Sequence, residues 1–473
     1  MRLKLLTLAL ALSAISLPSH GEDLLDAYRE ARANDPVLSQ ADAQRLSVGE
    51  GVTQARALLL PQISAGLTLS QTNGNSSSNT GTSSQNYGAD SYLCSGIAAG
   101  SGNYNCTGPL QSGAASGNVG HSRSRDISAT LNQSVLDLSK IADLKAAHSQ
   151  ASAQDALYQA ALQDLFVRVA TAYFNVLTSQ DSLTFAKANE EAYRQQYEQS
   201  DQRYKVGLSA ITDVYQAKSF YESAKAQTIA AQNALDDARE ALAQITGKPT
   251  GELKQLRDDL PMDPPQPNDQ KAWVQQALQN NPNLLSDKYS VDAAEHSISA
   301  ARAGHLPTIS ATVNYGKGAT WYQNSTDHFR RPSSTTVGLT LSVPLFSGGA
   351  TQSRVRQSIY QRDAAQDSLE ADRRQVQRNT LNYYRSVIAG ISQVEAAKSA
   401  VEAGQKALDA TRAGFSVGTK TILDVLTAIQ TLTSSESQYS QARHQFILDK
   451  LLLKQAAGAA DFKDMESINT LLE

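Results

Sequence analysis

Two carboxylates at matching places are the residues with the most chemistry to offer in this chain. Asp213 lies in Arg203–Tyr215, read R-Y-K-V-G-L-S-A-I-T-D-V-Y, and Asp424 lies in Gly414–Leu426, read G-F-S-V-G-T-K-T-I-L-D-V-L, 211 positions later. Val206/Val417, Gly207/Gly418, Ile211/Ile422, Asp213/Asp424 and Val214/Val425 coincide without a gap. Each copy has a glycine that can stop a long helix, a Ser or Thr that can start another, and an Asp in the new first turns, where the macrodipole favours an anion. The sequence offers no Ser/His/Asp grouping, metal-ligand cluster or phosphate-binding glycine loop, so no catalytic residue, cofactor or metal is expected. What remains is electrostatics: two acidic turns that attract cations, or simply two helix N-terminal charges.

The other reactive side chains are few. The seven histidines, His444 included, are scattered singly and read as surface or packed residues. Residues 1–21 open with Arg2 and Lys4, continue as a mostly apolar run, and place Ser19 and Gly21 at the −3 and −1 positions of a cleavage site before Glu22. That pattern is a secretory signal peptide, too short to span a bilayer. No Cys follows the cut, so no lipid anchor is expected there. Beyond residue 21 no apolar run is long enough for a transmembrane helix. In an oxidising compartment Cys94 and Cys106 read by default as a disulfide closing a small loop. A metal site is the alternative, and no histidine lies near both thiols. A net charge of −4 with balanced acids and bases leaves no basic footprint for nucleic acid.

The elements that must carry the two turns emerge from repetition. Asn34-Asp35-Pro36, Ala55-Arg56-Ala57, Leu60-Pro61 and Ile63-Ser64-Ala65 recur as Asn280-Asn281-Pro282, Ala301-Arg302-Ala303, Leu306-Pro307 and Ile309-Ser310-Ala311, all at an offset of 246. The chain is a tandem duplication, each half being helix, strand, loop, strand, long helix, tip and helix, and the repeat decides the fold ahead of the length prior. The expected layout is as follows: half-length helices over 22–61; strands within 62–136 flanking a Gly/Ser/Asn-rich loop 71–125; a long helix, tip 203–215 and return helix over 137–247; a proline-rich connector 248–270; half-length helices over 271–307; strands within 308–346 around a loop 317–335; a second long helix, tip 414–426 and return helix over 347–458; and a tail 459–473.

Strands alternate with period two, as in Ile63/Leu67/Leu69 against Ser64/Gly66/Thr68, and give one apolar and one wet face. The long helices keep a 3.5-residue seam, through Leu162, Phe166, Val169, Tyr173, Val176, Gln180 and Leu183 and again from Val376 through Val387, Gly390, Val394, Gly404 and Leu408 to Phe415, which is a coiled-coil pattern with small residues that permit close approach. Each long helix would run about 100 Å and each return helix about 55 Å, so two short helices stacked end to end match one long one. Amphipathic strands of this length suit an outer membrane, where only closed barrels are tolerated among β-structures. Four strands cannot close. Two chains would give a filled eight-stranded barrel, three a twelve-stranded barrel with a lumen. The expected fold is therefore an α+β membrane protein: a homotrimeric 12-stranded β-barrel, four strands per chain, continued by a periplasmic α-helical coiled-coil barrel. A non-conducting envelope scaffold or adhesin stalk is the competing class, and it would need neither wet strand faces nor paired tips.

Over essentially all of the mature chain the sequence resembles the TolC family of outer-membrane efflux and type I secretion channels. The two tips carry the likeness, supported by Gly304-His305-Leu306-Pro307 and Ala243-Gln244-Ile245-Thr246-Gly247. The resemblance implies a passive trimeric exit duct for drugs, toxins or proteins, set in outer-membrane lipid, that docks with a periplasmic adaptor (membrane fusion) protein and an inner-membrane RND, ABC or MFS transporter. It implies adaptor docking at Val206, Gly207, Leu208, Val417 and Gly418. It also implies a closed gate in which Phe415 and Lys420 of the second hairpin are tied to Thr212 and Asp213 of the first. Phe415 stands where tyrosine is common and lacks the hydroxyl, and Lys420 stands for arginine without its bidentate geometry. Asp424 matches an aspartate ring at the entrance, while Thr427 occupies the second acidic position. The expected consequence is a gate that opens more easily than in close relatives.

Overall fold

The computed structural model describes residues 22–72, 122–322 and 332–473. The signal-peptide segment and the Cys94/Cys106 pair lie outside them. The chain divides into two units, one of residues 1–56, 139–304 and 346–473, the other of residues 57–138 and 305–345.

The second unit is a four-stranded antiparallel sheet in the order β1 (Gln62–Thr72), β2 (Ser122–Leu136), β3 (Thr308–Tyr322), β4 (Ser333–Ser342). Its register sorts the side chains into rows. Ile63, Leu131, Val313 and Val337 oppose one another across all four strands on one face, and Ser64, Thr130, Asn314 and Thr336 do so on the other. Gln62–Asn132–Thr312–Gly338 and Gly66–Ser128–Gly316–Ser334 are further polar rows. Because the side-chain period is two, a slip of one residue in any pair would scramble both faces, so the register is strongly specified. Val135 forms a bulge that lets Leu136 oppose Ile309. β3 continues through Lys317 to Tyr322, so Trp321 lies on a strand opposite Arg123 and not in the expected loop 317–335. Likewise β2 begins at Ser122, inside the expected loop 71–125. Backbone pairing between β2 and β3 carries these glycine- and serine-rich ends as strand where composition alone reads loop. β4 ends at Ser342, short of the end of the expected strand range 308–346.

The other unit is helical: α1 (Leu24–Asn34), α2 (Pro36–Ala57), α3 (Leu138–Lys205), α4 (Ile211–Thr246), α5 (Gln270–Asn280), α6 (Pro282–Ala303), α7 (Ala350–Ser416), α8 (Ile422–Ala456) and α9 (Phe462–Asn469). The 68 residues of α3 and the 67 of α7 span about 100 Å each. Every seam position read from the sequence on α3 and α7 is buried or half-buried. α7 and α8 approach closely where side chains are small: a Cβ on Gly390 would sit 3.1 Å from the Phe446 ring, and one on Gly404 3.4 Å from Leu432.

The two halves end their return helices in the same way. α4 stops at Gly247 (φ 76°) against Asn34, and α8 stops beside Gly458 (φ 66°) against Asn280, so each return helix meets the break between the half-length helices of its own repeat. The breaks themselves have diverged. At the first, the buried Asp35 accepts from the Leu38 N–H at 2.9 Å and from the two terminal guanidinium nitrogens of Arg168, at 3.2 and 2.7 Å. At the second, Asn281 accepts from the N–H groups of Asn283 and Leu284 and donates its amide to the Ala456 carbonyl at 3.1 Å. A buried anion needs a cation beside it, whereas a neutral amide can turn to a helix-end carbonyl.

Within the helical unit the chain start, the connector and the tail are laced together. Glu22 pairs with Glu252 and Lys254, and Gln255 and Arg257 pair with Glu473 and Leu471. The Tyr173 hydroxyl, fully buried, lies 3.1 Å from the Glu22 carbonyl and 2.9 Å from that of Lys254, and Arg443 donates to the carbonyls of Leu256 and Arg257. Around it Leu165, Val169, Phe174, Phe446, Leu451 and Met465 form the main core.

A paired substitution separates conformational from steric demand on glycine. Gly458→Ala would place Cβ 2.3 Å from the Asn280 carbonyl oxygen at positive φ, whereas Gly418→Ala (φ 82°) meets nothing within 4 Å. Gly418→Ala is expected to cost about 1–2 kcal/mol from backbone conformation alone, and Gly458→Ala distinctly more, read as the drop in thermal unfolding midpoint.

Candidate functional site

Both tips end their long helices with the same cap. Gly207 (φ 78°) and Gly418 (φ 82°) take the left-handed conformation, the Leu208 N–H donates to the Arg203 carbonyl at 2.8 Å, and the Thr419 N–H donates to the Gly414 carbonyl at 2.9 Å. This is the Schellman arrangement, in which glycine avoids the Cβ penalty. Neither glycine has a neighbour within 4 Å of its Cβ position. Val206, Leu208 and Val417 are each about two-thirds exposed or more, at 68%, 69% and 75%, so the extreme of each turn is an apolar knob.

The starts of the return helices differ. Thr421 is the N-cap of α8 in a complete capping box: its hydroxyl accepts from the Asp424 N–H at 3.2 Å, and the Asp424 carboxylate accepts from the Thr421 N–H at 2.8 Å and from its hydroxyl at 2.8 Å. The corresponding residue in the first tip is Ala210, which has no side chain to cap α4, and Ser209 does not replace it. Its hydroxyl donates to the Asp213 carboxylate at 2.7 Å. The expectation that a Ser or Thr starts each return helix therefore holds only for the second copy, because Ser209 sits one position too early.

The hydrogen bonds from the Thr421 backbone and hydroxyl, with Lys420 nearby, hold the Asp424 carboxyl below its ordinary value of 3.8. A depressed folded-state pKa contributes stability above the unfolded value and loses it as pH falls through the folded one. Asp424 is thus a fixed anion at neutral pH.

Within one chain the four residues of the expected gate tie do not converge. Among the described contacts, Phe415 and Lys420 make no hydrogen bond or ion pair to Thr212 or Asp213. Asp213 is held by Ser209, the stem of Lys420 lies over Gly414, whose Cβ position is 2.8 Å from the lysine Cγ, and the Thr427 carbonyl accepts from the Thr431 hydroxyl. Asp213 is thus engaged inside its own turn by Ser209.

The hairpins are joined instead along α3 and α8 by a series of contacts that sequence reading missed. The Tyr193 hydroxyl donates to the Leu426 carbonyl at 3.1 Å, inside a cluster of Ala224, Leu408, Ile422, Val425 and Ile429. Burial pushes that hydroxyl up to about 12. Further along, Thr433 donates to Asn189 at 3.4 Å and Ser440 to Asp181 at 2.5 Å, and Thr178 lies 2.7 Å from His444 Nδ1. Thr178 already donates its only hydroxyl proton to the Phe174 carbonyl, so Nδ1 of His444 carries the proton. Burial, with Arg443 adding, lowers His444 to about 4, and the ring stays neutral. These partners are separated by 233 to 266 positions in the chain, a distance over which no local pattern signals a contact.

Ile63, Leu67, Leu69, Val337, Leu339 and Leu341 are exposed by 62% to 75% on one face of the sheet, while the opposite face is a field of Ser, Thr, Asn and Gly. An exposed apolar sheet face of that extent, backed by a polar one, belongs in lipid. Among the described residues no helix is long and apolar enough to cross a membrane. These features define an outer-membrane β-structured channel protein with helical hairpins.

The comparisons place it further. The family model described as outer membrane efflux protein matches residues 98–248 and 273–459. The chain is 34% identical to the outer membrane protein TolC of Escherichia coli over 98% of its own length and 88% of that protein's. It is 28% identical to the alkaline protease secretion protein AprF of Pseudomonas aeruginosa, over 72% and 70% of the two chains. The solved structure of the Campylobacter jejuni CmeC outer membrane channel superposes with a TM-score of 0.73 at 16% identity, covering 96% of this chain and 90% of that one. The chain belongs to the outer membrane efflux protein family, and it is an outer-membrane channel protein of the efflux and secretion class.

The unequal caps give a direct test. Thr421→Ala is expected to raise the Asp424 pKa toward its ordinary value, read from carboxyl carbon shifts, and to speed amide exchange in the first turn of α8. Ala210→Thr installs the missing cap and is expected to stabilise α4 by about 1 kcal/mol, slowing exchange at the Thr212 and Asp213 amides.

Proposed function

We propose that three copies of this chain close one twelve-stranded barrel in the outer membrane, with their helical hairpins forming a periplasmic duct gated at the 203–215 and 414–426 tips. The observation that carries the reading is the open sheet: β1 and β4 each present one unpaired edge within the chain, and hydrocarbon tolerates no unpaired edge. Twelve strands leave a lumen, and the polar rows would line it. The chain would act as a passive exit for small toxic compounds or secreted proteins, with no catalysis of its own. The relatives named for efflux and for protease secretion support both cargo classes.

The exposed apolar knobs Val206, Leu208 and Val417 are proposed to receive a periplasmic adaptor protein coupled to an inner-membrane RND, ABC or MFS transporter. Asp424, repeated three times around the axis and kept ionised by its capping box, would make the entrance favour cations. Asp213, Thr212, Lys420, Phe415 and Thr427 would line the same entrance, their contacts crossing between chains where they do not meet within one.

Reconstitution into planar bilayers tests this. The protein is expected to give single channels that prefer cations and are blocked from the tip side by a trivalent cation, and Asp424→Ala is expected to weaken the block at least ten-fold. Block unchanged by the substitution would remove Asp424 from the entrance. Cysteines placed beside Gly207 and Gly418 are expected to cross-link to an adaptor protein in cells.

A further inference from the structure

Toward the turns from the buried cluster around Tyr193, the two hairpins of a chain make another contact. The guanidinium of Arg203, in the last turn of α3, lies over the ring of Phe415, in the last turn of α7, 4.9 Å from its centroid. Both residues are held by their helix caps: the Arg203 carbonyl accepts from the Leu208 N–H and the Phe415 carbonyl from the Gly418 N–H at 3.2 Å. A contact between these side chains therefore joins the stopping points of two separate hairpins. The two cations flanking Arg203 on α3 are engaged along their own helix, Arg194 by Glu191 and Glu198 and Lys205 by Asp201. Arg203 instead turns across to the second hairpin. A planar guanidinium suits an aromatic face better than a lysine ammonium does, and the half-buried position of both groups at the rim of the apolar cluster limits competition from water.

We propose that Arg203 is a positioning residue of the gate, holding the first and second tips of each chain together by stacking on Phe415. The proposal rests on the reading of the tips as a gate. It replaces the polar tie that a tyrosine hydroxyl would make: the ring face is what Arg203 uses, so phenylalanine at 415 keeps a latch of a different kind.

A double-mutant cycle with Arg203→Gln and Phe415→Leu tests it, read both as open probability in planar bilayers and as thermal unfolding midpoint in detergent. Each single substitution is expected to raise open probability roughly ten-fold, three stacked pairs being lost together in a trimer. The double variant should go no further than either single, and the midpoint shifts should be non-additive in the same way. Phe415→Tyr, which keeps the ring face, is expected to stay near the parent, with Arg203→Lys between the two. Additive effects in both readouts, or an open probability that ignores Phe415→Leu while the midpoints couple, would overturn the proposal. A parent protein that conducts nothing while the midpoints couple would instead overturn the gate reading beneath it.

Discussion

A strand buried in hydrocarbon cannot leave its backbone donors and acceptors unpaired, and the rest of this chain is arranged around that requirement. Four strands pair in simple antiparallel succession, and their register carries the apolar row Ile63–Leu131–Val313–Val337 and the polar row Ser64–Thr130–Asn314–Thr336 from β1 to β4, while Arg125 opposite Leu69 and Lys317 opposite Ile127 interrupt the apolar face. The alignment matters at the edges. A sheet whose rows continue unbroken to both sides can be extended by a copy of itself with each face kept uniform, so the same alternation that places one chain in lipid also prepares it to close with others.

The helical unit shows what duplication preserved and what it released. The backbone devices are the same in both halves: a left-handed glycine at each tip, another where each return helix meets a break between half-length helices. These are conformational needs, and chain sterics leave few residues to meet them. The side-chain solutions diverged. Asp35 relies on Arg168 while Asn281 relies on the Ala456 carbonyl, and Thr421 caps α8 where Ala210 leaves α4 uncapped. The second hairpin is also the more closely packed, through Gly390 and Gly404. The two tips are thus not equivalent: the second has the stiffer helix start and a fixed anion.

Much of this was legible in the sequence because it is written in local periodicity. Period two gave the sheet faces, the 3.5-residue seam gave the long helices, and the fixed offsets gave the tandem repeat, the helix breaks and the tips. Strand ends were not legible, since Trp321 and Arg123 are strand residues through pairing with each other and not through composition. The ties between hairpins were missed for a similar reason. Tyr193, His444 and Arg203 meet partners hundreds of positions away, and nothing in their neighbourhoods distinguishes them from ordinary helix residues. The resemblance pointed to Phe415, Lys420, Thr212 and Asp213 as mutual partners, yet within one chain Asp213 is engaged by Ser209 and Phe415 by Arg203.

Which face of the sheet meets lipid decides whether the strands can surround a wet lumen. Spin labels at Leu67 and Leu339, compared with labels at Thr68 and Thr340 in protein reconstituted into bilayers, measure this through collisions with oxygen and with a water-soluble nickel complex. The account predicts that Leu67 and Leu339 labels are relaxed by oxygen and shielded from nickel, and that Thr68 and Thr340 labels show the reverse. Labels on both faces equally open to nickel would contradict a lipid-facing sheet around a wet lumen, and the channel with it.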